Sequence, residues 1–188
     1  MLIALVGMPG GGKSEAGFFL RDKKGFGYLR FGDIVEDGAK SLGGVNEINE
    51  RKFREQIREE FGMKAMAVKA QPLIDKLLGQ YKDVVLDGLY SWEEYEYLKQ
   101  RYLELLLICI YATPKTRYQR LANRPHRSLQ AAEARGRDIA ELTALNKGGP
   151  IALADFLVVN KDSLDEFYSN LEEILELIKT RNYYGNEK

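Results

Sequence analysis

Leu2-Ile3-Ala4-Leu5-Val6-Gly7-Met8-Pro9-Gly10-Gly11-Gly12-Lys13-Ser14 is the stretch that decides the fold. Leu2 to Val6 is a short apolar run of the kind that forms a buried strand, and Lys13 to Arg21 reads as a helix. Between them Gly7, Gly12, Lys13 and Ser14 fill the pattern G-x-x-x-x-G-K-[ST]. Glycines there let the backbone curl until successive amides face one point. The following helix adds its positive end, and together they make an anion cradle.

In such a cradle Lys13 bridges the β- and γ-phosphates of a nucleotide, and the Ser14 hydroxyl binds magnesium. Pro9, Gly10, Gly11 and Glu15 complete the loop and its exit. ATP and magnesium are therefore the expected cofactors. A flexible turn without a ligand is the alternative. The flanking strand and helix argue against it, as does a later strand ending in aspartate.

That later strand is Asp83-Val84-Val85-Leu86-Asp87, apolar until its last residue. A carboxylate there lies at the carboxyl edge of the sheet, where ligands bind in open α/β sheets. Asp87 is thus a candidate magnesium group beside Ser14, with an Asp-Gly turn as the plainer reading. Tyr28-Leu29-Arg30-Phe31 reads as a second strand ending at Gly32-Asp33. At that edge Asp33 would orient or deprotonate an acceptor, although an aspartate there also suits a helix N-cap, and one residue can do both.

Leu105 to Tyr111 and Phe156 to Val159 supply the fourth and fifth strands. Alternation of short apolar runs with longer helical patterns predicts an α/β fold, a five-stranded parallel sheet flanked by helices. Helical stretches cover Ile34 to Leu42 and, with a break near Gly62, Asn46 to Gly79. Residues 34–79 would then form the acceptor side. Phe167, Leu171, Ile174, Leu175 and Ile178 mark one stripe of a closing helix, and the polar tail from Thr180 reads as frayed.

Pro114 to Pro150, rich in arginine, alanine and glycine, reads as a helical lid from about residue 117 to 150. Arg117, Arg120, Arg124 and Arg127 recur at helical spacing, followed by Arg135 and Arg137. Phosphoryl transfer puts negative charge on equatorial oxygens, so Arg120 and Arg137 are candidate catalytic groups with Lys13 and Asp33. Arg124 and Arg127 read as a solvated face. His126, the sole histidine, has no identifiable partner and reads as surface.

The 188 residues suit one domain with an insert. Twenty-eight basic and 28 acidic residues cancel, which disfavours nucleic-acid polymers and anionic membranes as partners. Nothing at the start reads as a secretory signal, and no apolar run approaches the roughly 20 residues of a membrane span. A cytoplasmic protein is expected. Cys109, the lone cysteine, lies in an apolar strand and reads as structural. Asn160-Lys161-Asp162-Ser163 fails the Asn-Lys-x-Asp guanine motif at its last position, against a GTPase.

Nearly the whole chain resembles the adenylate-kinase-related and dephospho-coenzyme A kinase-like branch of P-loop kinases. Gly7 to Ser14, Phe31-Gly32-Asp33, Arg58 to Met63, Asp87-Gly88, Arg117 to Arg120, Arg135 to Asp138 and Ile151 to Asp155 carry the likeness. The resemblance implies an ATP-dependent kinase of a nucleotide, nucleoside or dephospho-coenzyme A-like acceptor. It also implies that Arg117 stacks on the base and that Arg135 and Arg137 serve the lid. Acceptor contacts would come from Asp33, Arg54, Arg58, Gly88 and Tyr90.

Glu36 and Leu89-Tyr90 stand where adenylate kinases carry arginines for the acceptor's α-phosphate. A carboxylate at about 4 Å repels a phosphate by a few kcal/mol, so AMP is expected to be a poor acceptor. The competing reading is a regulatory ATPase whose hydrolysis switches a surface without any acceptor.

Overall fold

The computed structural model describes residues 1–125, 127–161 and 163–180. His126, Asp162 and the tail beyond Thr180 lie outside them. Five strands, β1 (Leu2–Val6), β2 (Gly27–Arg30), β3 (Val84–Asp87), β4 (Leu105–Tyr111) and β5 (Phe156–Val159), form one parallel sheet in the order β2-β3-β1-β4-β5. Register places Leu5 beside Asp87 and Val6 beside Cys109. The phosphate loop therefore leaves the central strand between the carboxyl ends of β3 and β4, the crevice where the strand order reverses.

Both faces of β1 are buried, which explains why its sequence is uniformly apolar rather than alternating. Leu2, Ala4 and Val6 pack in one core with Phe31, Ala70, Ile74 and Leu98, whereas Ile3 and Leu5 pack in the other with Leu20, Phe167 and Leu171. The first core is roofed by α2 (Phe31–Ser41), α4 (Ala65–Leu78) and α5 (Trp92–Arg101), and the second by α1 (Lys13–Lys24) and α9 (Leu164–Thr180). Cys109 is buried, and burial pushes its thiol pKa up, so it is a packing residue.

The strand expected over Tyr28 to Phe31 ends at Arg30, and Phe31 instead opens α2. Phe31 is fully buried, which contributes about 1.5–3 kcal/mol and fixes where the helix begins. Asp33 consequently sits in the first helical turn and not at a strand end. α3 (Glu47–Phe61) starts at an Asn46 cap and stops at Gly62, whose φ of 67° a helix cannot continue; a short 3₁₀ turn (Gly62–Lys64) leads into α4.

α5 has no counterpart in the sequence reading, since only Leu98 among its apolar residues is fully buried; its clear mark is the Ser91/Glu94 capping box. The segment expected to form a lid, from about residue 117, begins within a helix. α6 (Pro114–Ala122) belongs to the body of the fold, because Leu121 is fully buried and Arg117 is 5% exposed. α7 (Ala131–Thr143) and the short α8 (Gly148–Ala152) complete that region. No helix among the described residues is long and apolar enough to cross a membrane.

Candidate functional site

Two glycines of the loop are required by close approach. A Cβ on Gly7 would lie 2.4 Å from the Ile110 carbonyl oxygen, and one on Gly12 would lie 2.2 Å from the Asn160 amide nitrogen, both at positive φ. Any side chain at either position would push the loop off its neighbouring strands. Lys13 opens α1, and its ammonium donates to the carbonyl oxygens of Gly7 at 2.9 Å and Met8 at 3.3 Å. Burial lowers the Lys13 pKa to about 7; repulsion from Lys147 adds to this and the Asp87 carboxylate opposes it.

The Ser14 hydroxyl donates to Asp87 Oδ2 at 2.7 Å, so the two expected magnesium groups meet across β1 and β3. Tyr28 donates to the same oxygen at 3.0 Å, a contact from β2 that the sequence reading missed. A hydroxyl and a carboxylate beside an anion cradle form the hard oxygen set that magnesium takes, with the rest of its shell left to water and phosphate. The residues therefore fit the ion.

Around this point lies an inner cavity of about 480 Å³ whose walls include Pro9, Gly10, Gly12, Lys13, Ser14, Glu15 and Asp87. Beside it lies an outer cavity of about 850 Å³ walled by Phe31, Val35, Met66, Leu129 and Leu145, with Arg58 and Glu94 among its polar groups. Gly32, Glu50, Arg54, Tyr90, Arg127 and Arg137 border both. Glu50 is buried, accepting from Arg54 at 2.9 Å and from Arg127 at 2.5 Å, and so joins α3 to the segment after α6.

Arg120, Arg124 and Arg137 reach the inner cavity together. Arg120 donates to the Asn160 backbone and side-chain oxygens at 3.2 and 3.1 Å, while its Nη1 is buried with no partner among the described residues. Burial and repulsion from Arg137 lower the pKa of Arg124. Arg137 pairs with Glu141 at 2.9 Å. Three guanidinium groups around one space suit an anionic occupant.

Two comparisons bear on these features. Residues 3–143 match the AAA domain family. UPF0200 proteins align over almost the full chain: that of Methanocaldococcus jannaschii is 34% identical, covering 95% of this chain and 90% of its own, and that of Methanococcus vannielii is 35% identical, covering 94% and 96%.

The chain belongs to the UPF0200 family.

Its fold is that of the P-loop kinase-like NTPases. A shikimate kinase from Acinetobacter baumannii, solved with shikimate, superposes with a TM-score of 0.60 at 20% identity, covering 95% of this chain and 93% of its own. A gluconokinase from Sinorhizobium meliloti does so at 0.57 and 13%, covering 98% and 97%.

Several expected site residues lie elsewhere. Asp33 is exposed, ion-paired to Arg30 at 2.6 Å, and borders neither cavity, because the early start of α2 turns it to solvent. It is not the N-cap either, that position being Arg30. Arg117 cannot stack on a base: its guanidinium is buried against Asp138 in two hydrogen bonds of 2.9 and 2.6 Å and also donates to the carbonyl of Pro9 at 3.0 Å. Gly88 borders neither of these cavities; its φ of 110° turns the chain after β3 so that Tyr90 borders both.

Arg124 and Arg127 are cavity residues and not a merely solvated face, whereas Arg135 is exposed and borders neither space. Glu36 borders the inner cavity but is ion-paired to Arg30 at 2.6 Å, which offsets the repulsion it was expected to exert on a phosphate. Burial pushes the Tyr90 phenol up to about 12, so it stays a neutral donor. Sequence reading also missed Glu50, Glu141, Lys147 and Asn160. Only Asn160 carried a signal, as the first residue of a motif rejected on other grounds.

Proposed function

We propose that this protein is an ATP-dependent kinase of a small nucleotide, nucleoside or dephospho-coenzyme A-like acceptor. The observation that carries this reading is the pair of adjacent cavities with shared walls, one built on the phosphate loop and one large enough for a second compound. Ligand pockets commonly span about 300–1,000 Å³ with apolar walls and a few polar groups, and the outer cavity has that character. An ATPase switch needs no such second compartment.

Loop amides and Lys13 bind the donor phosphates, and Ser14 with Asp87 would hold magnesium. Magnesium, when bound, supplies charge neutralisation on the phosphate oxygens. Arg120, Arg124 and Arg137 neutralise the charge that spreads over the equatorial oxygens during transfer. Phe31, Val35 and Met66 accommodate the apolar body of the acceptor, and Arg54 and Arg58 orient an anionic group on it. The segment after α6 closes over both compounds and excludes water, its Arg127 meeting Glu50. This chemistry rests on positioning and electrostatics, so displacement of Asp33 from the cleft removes no indispensable part.

The test is ADP release from ATP and magnesium against nucleosides, nucleoside monophosphates and dephospho-coenzyme A. One or more acceptors should raise release at least tenfold above the acceptor-free rate and appear as the phosphorylated product. An acceptor-free rate that no compound changes supports the ATPase switch instead.

A further inference from the structure

Lys147 is 1% exposed, yet it borders the inner cavity. A lysine is seldom buried so completely without a full set of partners, since three donors on an ammonium need acceptors. Among the described residues its one hydrogen-bond acceptor is Glu141, and that carboxylate also serves Arg137. Beneath the ammonium lies the Tyr90 ring, 4.5 Å from nitrogen to centroid. Two cations thus share one carboxylate at the edge of a space that Lys13, Arg120 and Arg124 also enter. Eight cationic side chains line that space against four carboxylates, Glu15, Glu36, Glu50 and Asp87, an excess of positive charge that an anionic occupant would balance.

The chain path here is specified in detail. Asn146 adopts a φ of 51°, which non-glycine residues rarely take, and its amide is held by Glu93 at 3.2 Å. Gly149 lies against Trp92, where a Cβ would come within 2.7 Å of the ring. Between these two fixed points the Lys147 side chain runs inward.

We infer that Lys147 is a second phosphate-binding lysine, which contacts the terminal phosphoryl group from the acceptor side, across the cavity from Lys13. The inference rests on the kinase reading of the same site. Glu141 acts as the counterion that holds Lys147 in place before the phosphoryl group arrives.

Calorimetric binding of ADP and of a non-hydrolysable ATP analogue, each with magnesium, tests this without any turnover. Lys147→Met should weaken the analogue about tenfold or more while changing ADP by less than about threefold, the scale of one charged hydrogen bond. Equal weakening of both ligands, or of neither, overturns the assignment. Glu141→Gln gives a test of opposite sign: freeing Lys147 should strengthen the analogue relative to ADP, and the gain should vanish in the Lys147→Met/Glu141→Gln double variant. A gain that persists there belongs to Arg137 and overturns the inference. Failure of the wild-type protein to bind either nucleotide would instead sink the kinase reading itself.

Discussion

Replacing Arg117 by alanine should destabilise the protein severely while leaving the nucleotide-contacting groups in the sequence. Arg117 and Asp138 are 5% and 7% exposed, and their two hydrogen bonds are 2.9 and 2.6 Å long. Removing the cation leaves a buried carboxylate uncompensated, which costs roughly 3–5 kcal/mol. The carbonyls of Pro9 and Ala112 lose their donor as well. For a chain of this size each kcal/mol moves the melting temperature by roughly 2–4 °C, so a drop on the order of 10 °C is expected. Urea denaturation of Arg117→Ala and of an Arg117→Met/Asp138→Leu pair measures it. The double variant, which removes both charges, should recover much of the loss. If Arg117→Ala instead unfolds like wild type and binds ATP far more weakly, the arginine contacts the base and the buried-pair argument is wrong.

Lys13→Ala should keep the fold, because its ammonium bonds only loop carbonyls, yet lose most turnover; near-normal turnover in the folded variant would remove the phosphate loop from the chemistry. Arg137→Ala should reduce turnover by tenfold or more and ATP binding by much less, as a group acting mainly on the transition state does; an equal loss in both would make it an ordinary binding residue. Burial raises Glu94 to about 7, with the Tyr90 and Ser91 amides opposing, so the folded state holds an extra proton above the unfolded value of 4.5. That contribution is complete below pH 4.5 and fades as pH rises through 7, on the order of 3 kcal/mol in all. Glu94→Gln should flatten the stability profile between those limits, measured by urea midpoints from pH 4.5 to 8, and an unchanged slope would place the titration elsewhere.

The phosphate loop, β4, β5 and the break at Gly62 were legible because each is written in neighbouring residues: a glycine pattern, a continuous apolar run, a stop signal. Arg117 was not. Helical spacing placed it on a face with Arg120 and Arg124, but its fate is decided by Asp138, 21 residues away, whose carboxylate claims it first. Glu50 and Lys147 carried no signal in the sequence, since the partners that accompany their burial, Arg127 and Glu141, are set by tertiary structure. Asp33 misled through geometry. One residue of difference between the end of a strand and the start of a helix rotates a side chain from the cleft to solvent.

The side-chain amide of Asn160 donates to the carbonyl of Gly11 at 2.9 Å, and its oxygen receives Arg120. The loop formed by the first dozen residues is therefore braced by a residue at the far end of the last strand. Gly11 is translated 149 residues ahead of the residue that braces it. A fragment truncated ahead of β5 would carry every residue of the phosphate motif and lack the Asn160 bond that ties it to the sheet. Neighbouring residues thus suffice to write the motif, whereas the far end of the sheet is needed to brace it.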